Sequence, residues 1–384
     1  MRNFIKRLWS GLPFFLKEIS YLISRFTPFF IARPRSVYIS FYDLVCDGLC
    51  IMCSAGIAKK KGIKRNASTE PISGEKFAQL IKQLKKLSGK SILLSFTGGE
   101  PLLYKPLFEI LDLCRKEKIK FSFTTNGYLL NDRNIKKIID SKLFNIGISI
   151  ESLNPEINEI MRPVPNGTKK TLEGIDKLIT ERDKSKSDLS INLKCVITQL
   201  NYHTIPDLVK RYGKIKGVFI TPQPYNEFDV PEVAEKLWVK DTGKFREMIN
   251  ELILLKEQGY SINADLDTLK GFITYFESGL DEHGSYSRDL LKQSMKDRLT
   301  SNDCTIGYST IFIYSDHGEL TYWLCPYMDS IGQLSEGKTL EGIWFSKKAM
   351  KVREQTRKCL RYCNLSCTRK QPLLDKILIY LRIK

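Results

Sequence analysis

From residue 37 to residue 225 the apolar positions switch repeatedly between two periods. Val37–Val45 is a nearly continuous apolar run and reads as a strand. Between Lys76 and Leu87 the residues Phe77, Leu80, Ile81, Leu84 and Leu87 fall on one helical face. A strand over Ser91–Thr97 follows, then a helix over Leu107–Cys114 with Leu107, Ile110, Leu111 and Cys114 on one stripe. Phe121–Thr125 and Asn145–Glu151 are the next strands, and Leu172, Ile175, Leu178 and Ile179 mark another helix. Ile191–Thr198 and Val218–Thr221 bring the strands to six. Repeated strand–helix units predict a parallel sheet with right-handed crossovers. The period fits an open doubly wound sheet and a partly closed barrel equally.

On the fourth strand Ile146, Ile148 and Ile150 alternate with Gly147, Ser149 and Glu151. The isoleucines should face the helices and the polar set the opposite side. On the fifth, Asn192 and Lys194 alternate with Leu193 and Cys195, and the pattern does not say which pair points inward. Cys114 and Cys195 are expected in the core. Residues 226–303 read as connecting helices, with Phe245, Ile249, Leu252 and Leu255 on one face.

The ends differ from the middle. Residues 1–35 crowd Phe, Leu, Ile and Trp9 with seven basic residues and one acidic; residues 349–384 hold ten basic and two acidic. The whole chain of 384 residues carries a formal charge of +18. The N-terminal apolar stretch is broken by Arg7, Lys17, Glu18 and Arg25, too often to span a bilayer. It suits a helix lying in a membrane interface, or one packed over the sheet. The tail has an apolar stripe of Leu374, Ile377, Leu378 and Leu381 beside basic residues. A nucleic-acid enzyme would carry its basic stripe on the catalytic domain, so this charge pattern does not suit nucleic acid. The basic run in Ser54–Gly74 is a solvated surface, or a hold for phosphates or anionic headgroups near a substrate entrance. The three histidines, His203, His283 and His317, sit in no motif.

The cysteines cluster. Cys46, Cys50 and Cys53 stand at C-x3-C-x2-C spacing after the first strand, and Cys304, Cys325, Cys359, Cys363 and Cys367 form a later group. Clustering of this kind reads as metal ligation in a reducing compartment, with a zinc loop as the alternative to iron. Three close thiolates suit an iron–sulfur cluster, because a fourth iron then stays open. About 45 residues on, the second strand ends in Gly98-Gly99-Glu100-Pro101. The glycines let the backbone approach a ligand, and Glu100 can accept from an ammonium group.

At these residues the chain resembles the radical S-adenosylmethionine (SAM) superfamily. The resemblance implies a partial (β/α)6 TIM-like barrel with a [4Fe-4S] cluster on Cys46, Cys50 and Cys53. It implies that SAM chelates the open iron and is cleaved to a 5′-deoxyadenosyl radical that takes hydrogen from an unactivated carbon. It further implies a SAM site of Gly98, Gly99, Glu100, Ser149 and Glu151, with Arg162 either toward the SAM carboxylate or at the surface; Thr124–Gly127 resembles the family's third-strand end. Glu100 is then expected to act on SAM and not on folding.

The later cysteine group resembles the SPASM extension, a C-terminal cysteine-rich iron–sulfur domain. This chain departs from it with six residues between Gly318 and Cys325 and only five cysteines, which allows one auxiliary cluster or none; a zinc-ribbon-like site is the alternative. The organisation expected is an amphipathic segment over 1–35, a core barrel over 36–225, connecting helices over 226–303, the auxiliary-cluster domain over 304–370 and a basic tail over 371–384. The resemblance implies a peptide substrate, while the amphipathic ends suit a lipid or lipid-linked one. A reductant such as flavodoxin or ferredoxin is implied, in the cytoplasm or at the inner face of the membrane. A non-catalytic iron–sulfur or zinc protein is the alternative from another class.

Overall fold

Helix formation follows the apolar stripes and is fixed at its ends by side chains. The computed structural model describes residues 16–40 other than 18, 22 and 28, residues 46–57 other than 55, and residues 73–89, 92–226, 233–277, 305–316, 319–334 and 338–357. A first helix, α1, falls within 16–26, and the first strand, β1, is Ser36–Ser40. Helix α2 spans Gly74–Ser88; the Ser73 hydroxyl accepts from the Lys76 N–H at its start, and Gly89 ends it with φ +71°. Its stripe, Phe77, Leu80, Ile81, Leu84 and Leu87, is buried as the period predicts.

The alternation then continues as β2 (Leu93–Thr97), α3 (Leu107–Lys116), β3 (Lys120–Thr125), α4 (Asp132–Asp140) and β4 (Asn145–Ser149). It runs on through α5 (Pro155–Met161), α6 (Gly167–Lys184), β5 (Ser190–Ile197), α7 (Ile205–Tyr212) and β6 (Val218–Pro224). Connecting helices α8 (Ala234–Leu237), α9 (Thr242–Glu257) and α10 (Leu266–Glu277) follow. After them come α11 (Ile306–Ser309), β7 (Thr310–Asp316), β8 (Glu319–Trp323), β9 (Gly332–Gln333), α12 (Leu340–Trp344) and α13 (Lys347–Arg357).

Among the described residues the strand order is β6-β5-β4-β3-β2-β1-β7-β8-β9. β1 to β6 are parallel neighbours, β7 joins β1 in parallel, and β8 and β9 return antiparallel. The sheet therefore contains the six-strand parallel array expected, left unclosed, and adds β7 as a seventh parallel strand. The hairpin of β7 and β8 lies outside the six predicted strands. It falls in the stretch read from its cysteines as a separate extension, yet it continues the same sheet. The reason lies in Ile311 and Ile313, both fully buried on the helix side, with Phe312 and Tyr314 on the other face. A strand apolar on both sides needs cover on both sides.

The two faces differ in chemistry. The helix side gathers Val37, Ile39, Leu94, Phe96, Phe121, Phe123, Ile146, Ile148, Ile191, Leu193, Val218 and Ile220 into one core with the helix stripes. Cys114 and Cys195 lie in that core, as expected. The other face carries Ser95, Ser122, Thr124, Gly147, Ser149, Asn192, Lys194 and Thr221. Thr124 pairs with Gly147, and Ser149 with Lys194, across the strands. Lys194 Nζ donates to Thr124 Oγ1 at 3.1 Å and Thr221 Oγ1 to Asn192 Oδ1 at 2.6 Å. So Asn192 and Lys194 are the inward pair of β5, a choice the sequence left open. Toward β7 and β8 this face turns aromatic: Tyr38 stacks on Phe312 at 5.3 Å and Tyr314 meets Trp323 edge-on at 5.7 Å. Asn226, just past β6, donates to the Tyr327 hydroxyl, just past β8. That contact brings the far strands together and makes this face concave.

Trp344 pins the C-terminal helices to the first strand–helix unit. It is fully buried, its Nε1 donates to the Ala32 carbonyl at 3.1 Å, and the Arg353 guanidinium lies 4.4 Å over its ring. Replacing Trp344 by Ala should cost about 3–5 kcal/mol of stability, the range for a large aromatic removed from a core. Urea unfolding of the full chain measures it; a loss below 1 kcal/mol would contradict this anchoring role.

Candidate active site

The loops after β1, β2, β3 and β4 all leave from the same edge of a parallel sheet, where sites in such folds collect. After β2, Gly98 and Gly99 adopt φ of +83° and +56°. Side chains rarely take that left-handed conformation, so the glycines allow a turn that sends Glu100 back under the loops. Glu100 is 1% exposed. Its Oε1 accepts from Leu102 N at 3.0 Å and Thr125 Oγ1 at 2.7 Å, and its Oε2 accepts from Asn126 N at 2.7 Å. Burial pushes its pKa up to about 7 against the pull of these three donors. A carboxylate has about four acceptor positions, so three go to the fold and one is left for an ammonium group. Glu100 thus braces the ends of β2 and β3, which corrects the expectation that it does not act on folding.

The same brace reaches the cysteines. Asn126 Nδ2 donates to Asp47 Oδ1 at 2.6 Å, Asn126 Oδ1 accepts from Tyr128 N, and Thr171 Oγ1 donates to the Asn126 carbonyl. Asp47 lies between Cys46 and Gly48, so the loop is held to β3 from within. A Cβ on Gly48 would sit 3.4 Å from Cys50 Sγ and 3.5 Å from Cys46 Sγ, so those sulfurs flank the glycine. The Gly48 N–H points at Cys46 Sγ, 3.4 Å away. A short helical turn follows Cys53; a Cβ on Gly56 there would come 2.4 Å from the Cys50 carbonyl, so only glycine lets this turn close on the loop. Burial pushes the Cys46 thiol up to about 11, partly offset by the Gly48 N–H, and burial likewise raises Cys50. Metal binding would have to displace those protons. Cys53 is exposed.

A second buried carboxylate stands after β4. The Glu151 side chain is 0% exposed and that of Arg162 11%. Arg162 Nε and Nη2 reach Glu151 Oε1 at 2.7 and 2.6 Å, Val196 N donates to Glu151 Oε2 at 2.5 Å, and Arg162 Nη1 donates to Cys50 Sγ at 3.5 Å. Burial by itself would lower the Arg162 pKa; the Cys50 sulfur and the Glu151 carboxylate outweigh it and hold the group charged. Asn158 Oδ1 accepts from Glu151 N, and Asn201 Nδ2 donates to the Glu151 carbonyl. Arg162 is therefore a buried partner of the cysteine loop and not a surface residue. Ser149 lies on the concave face beside Lys194.

The structure thus brings Cys46, Cys50, Gly98, Gly99, Glu100, Glu151 and Arg162 to one edge. Asp47 and Asn126 join them; sequence reasoning missed Asp47, whose only signal was its place inside the cysteine motif. Cys325 is buried beside Ile306 and Phe312 on the aromatic part of the concave face. Cys304, Cys359, Cys363, Cys367, Gly318, His283, His317 and the basic residues of 59–65 lie outside the described residues.

Residues 44–187 match the family model of the Radical SAM superfamily. Among curated proteins, the chain is 32% identical over 177 residues to a probable GTP 3′,8-cyclase of Methanocaldococcus jannaschii, covering 46% of this chain and 54% of that one. It is 28% identical over 130 residues to an AdoMet-dependent heme synthase of Methanosarcina barkeri, covering 33% and 35%. The chain spans little more than half the length of the first curated relatives it matches. Among solved structures, SuiB of Streptococcus suis bound to its precursor peptide SuiA superposes with a TM-score of 0.57 at 19% identity, over 88% of this chain and 70% of that one. An anSMEcpe complex with AdoMet and a peptide gives 0.53 at 18% identity, over 85% and 84%. The fold and the cysteine edge define a parallel α/β scaffold for an iron–sulfur cofactor. The chain carries a radical SAM domain, and the cofactors of that domain are a [4Fe-4S] cluster and SAM.

The donors fit that pair. The Tyr128 hydroxyl is buried with no hydrogen-bond partner among the described residues, within the field of Arg162, Cys50, Asp47 and Cys46. Cys46, Cys50 and Cys53 would hold the cluster, and Glu100 and Arg162 offer complements to an ammonium and a carboxylate.

Glu100→Gln sets an amide N–H against the Asn126 N–H and should cost roughly 1–3 kcal/mol of stability as well as weaken SAM binding. Between its ordinary value of 4.5 and about 7, folded protein keeps a proton on Glu100 that unfolded chain releases. This group's stability contribution is full below pH 4.5 and is lost as pH rises through 7. Melting temperature from pH 4.5 to 8, SAM-free, should show that loss in wild type and not in Glu100→Gln; identical profiles would refute the titration.

Proposed function

We propose that this protein is a radical SAM enzyme that abstracts hydrogen from an unactivated carbon of a peptide. The observation that carries the reading is the bracing of the cysteine loop to three other strand ends, through Asp47–Asn126–Glu100 and through Arg162–Cys50. Bound there, the cluster and SAM supply a one-electron cleavage that yields a 5′-deoxyadenosyl radical. The chain's own part is to hold Cys46, Cys50 and Cys53 at the mouth, offer Glu100 and Arg162 to SAM with Gly98, Gly99 and Ser149 close by, and line the concave face below. The peptide is favoured by two features. The likeness to SuiB and anSMEcpe, both solved with peptides, extends over most of this chain and not only the SAM domain. The aromatic wall of Tyr38, Phe312, Tyr314 and Trp323 offers apolar side chains a surface inside the sheet. We propose an auxiliary cluster that includes Cys325, a flavodoxin- or ferredoxin-like reductant and a cytoplasmic location. Protein reconstituted without oxygen should hold about eight irons, and the Cys46/Cys50/Cys53→Ala variant about four with no SAM cleavage. Full iron in that variant overturns the assignment. Transfer of deuterium from a labelled peptide fraction into 5′-deoxyadenosine supports the substrate class; transfer only from a lipid fraction replaces it.

A membrane contact is supported by α1 itself. One side packs on the protein: Tyr21 is fully buried against Ala32 and Tyr308, and Ser24 Oγ accepts from Ala32 N at 2.7 Å. The other side shows Leu16, Ile19, Ile23 and Phe26 to solvent, continued by Phe29 and Phe30, with Phe26 79% and Phe29 96% exposed. The buried side answers to the packed-helix reading, and the exposed apolar side supports the interfacial one. Arg357 donates to the Arg25 carbonyl, so the basic C-terminal segment starts beside this patch. No helix among the described residues is long and apolar enough to cross a membrane. α1 meets the chain just before β1 and β7, at the strand ends opposite the cysteines; a bilayer there would face away from the mouth, which favours a peptide over a lipid substrate. Wild type should float with anionic vesicles and less with neutral ones, and Ile23→Ser/Phe26→Ser/Phe29→Ser should abolish flotation at unchanged melting temperature. Undiminished flotation of that variant would remove α1 as the contact.

A further inference from the structure

Each of the three nitrogens of the Arg162 guanidinium makes a hydrogen bond, and Nη1 and Nη2 each keep a second N–H. Two of the bonds go to one oxygen of Glu151, at 2.7 and 2.6 Å, and the third to Cys50 Sγ at 3.5 Å. A planar fork fixed on two nitrogens has no freedom left to choose where the third points. Glu151 is fixed in turn, its second oxygen held by Val196 N, its own N–H by Asn158 and its carbonyl by Asn201. The sulfur is carried by the same structure, because Ile51 N donates to the carbonyl of Met161, the residue before Arg162. Donor and sulfur therefore move together. A residue needed only to greet a carboxylate from solution would not require this registration to a cysteine.

We propose that Arg162, oriented by Glu151, is a positioning residue that sets the reduction potential of the cluster through an N–H···S hydrogen bond to Cys50. The inference rests on the reading of Cys46, Cys50 and Cys53 as cluster ligands. Hydrogen bonds to the sulfurs, local charge and burial are the levers a protein has on such a potential, and outer partners of metal ligands tune the metal. The cationic donor lies against the sulfur and the anion lies one group farther off, so the pair acts on the cluster as a dipole with its positive end toward the sulfur. It makes the reduced cluster easier to reach.

The test is a potentiometric titration of the reconstituted full chain without SAM, followed by electron paramagnetic resonance. The signal followed is the one missing from the Cys46/Cys50/Cys53→Ala variant. Wild type is compared with Arg162→Lys, which keeps the charge and loses the fork. It is also compared with Glu151→Gln/Arg162→Gln, which removes both charges so that neither is buried alone. The expected order of midpoint potentials is wild type highest, Arg162→Lys lower and the double variant lowest, and SAM affinity is measured alongside. Equal potentials with weakened SAM binding would make Arg162 a ligand of SAM only, and equal potentials with unchanged SAM binding would make it packing; either overturns the proposal. Should the double variant fail to retain iron, Arg162→Lys decides by the same comparison. Failure of wild type to hold iron on Cys46, Cys50 and Cys53 would instead overturn the reading beneath it.

Discussion

A carboxylate removed from water must be hydrogen-bonded or neutralised, and two of them are buried at the strand ends of this protein. Glu100 and Glu151 cannot be accommodated unless loops from other strands come to them. Glu100 takes N–H and O–H donors from its own turn and from the end of β3; Glu151 takes Arg162 and the backbone of β5. Meeting that demand assembles the edge. Asn126, fixed by Glu100, holds Asp47, and Arg162, fixed by Glu151, touches Cys50, so the cysteine loop is tied at both of its ends by groups that answer to buried charge.

The sheet beneath supports this by dividing its labour between faces. Isoleucine, leucine, valine and phenylalanine on the helix side bury a continuous core, which leaves the other face free of packing duty. That face holds mostly small and polar residues under β2 to β6, Leu93 and Phe219 apart, and aromatic ones under β1, β7 and β8. The hairpin of β7 and β8 is what gives the concavity its apolar wall, and the contact of Asn226 with Tyr327 draws that wall toward β6. Polar and aromatic side chains thus share one curved surface, with the cysteines at its rim.

The molecule is also polar along its strands. The cofactor edge lies at the C-terminal ends. At the N-terminal ends α1 turns Tyr21 inward and Phe26 and Phe29 outward, with Trp344 locking the chain between α1 and β1 to the C-terminal helices. The apolar patch and the cysteine rim therefore stand at opposite ends of the strands.

The sequence by itself determined the first six strands and their helices, the parity of the fourth strand and the chemistry of the motifs, because these depend on local spacing. Phe77 to Leu87 had to form one helical stripe, Ile146 to Ile150 had to face the helices, and C-x3-C-x2-C followed by Gly98-Gly99-Glu100 had to be read together. Only the tertiary structure decided which inward candidates of β5 were real, that β7 extends the sheet beside β1, that Asp47 joins the cysteine edge, and that Arg162 bonds to Glu151 and Cys50. Each of these is a contact between residues tens to hundreds of positions apart. No local period encodes them, because they follow from satisfying buried polar groups after the strands have paired.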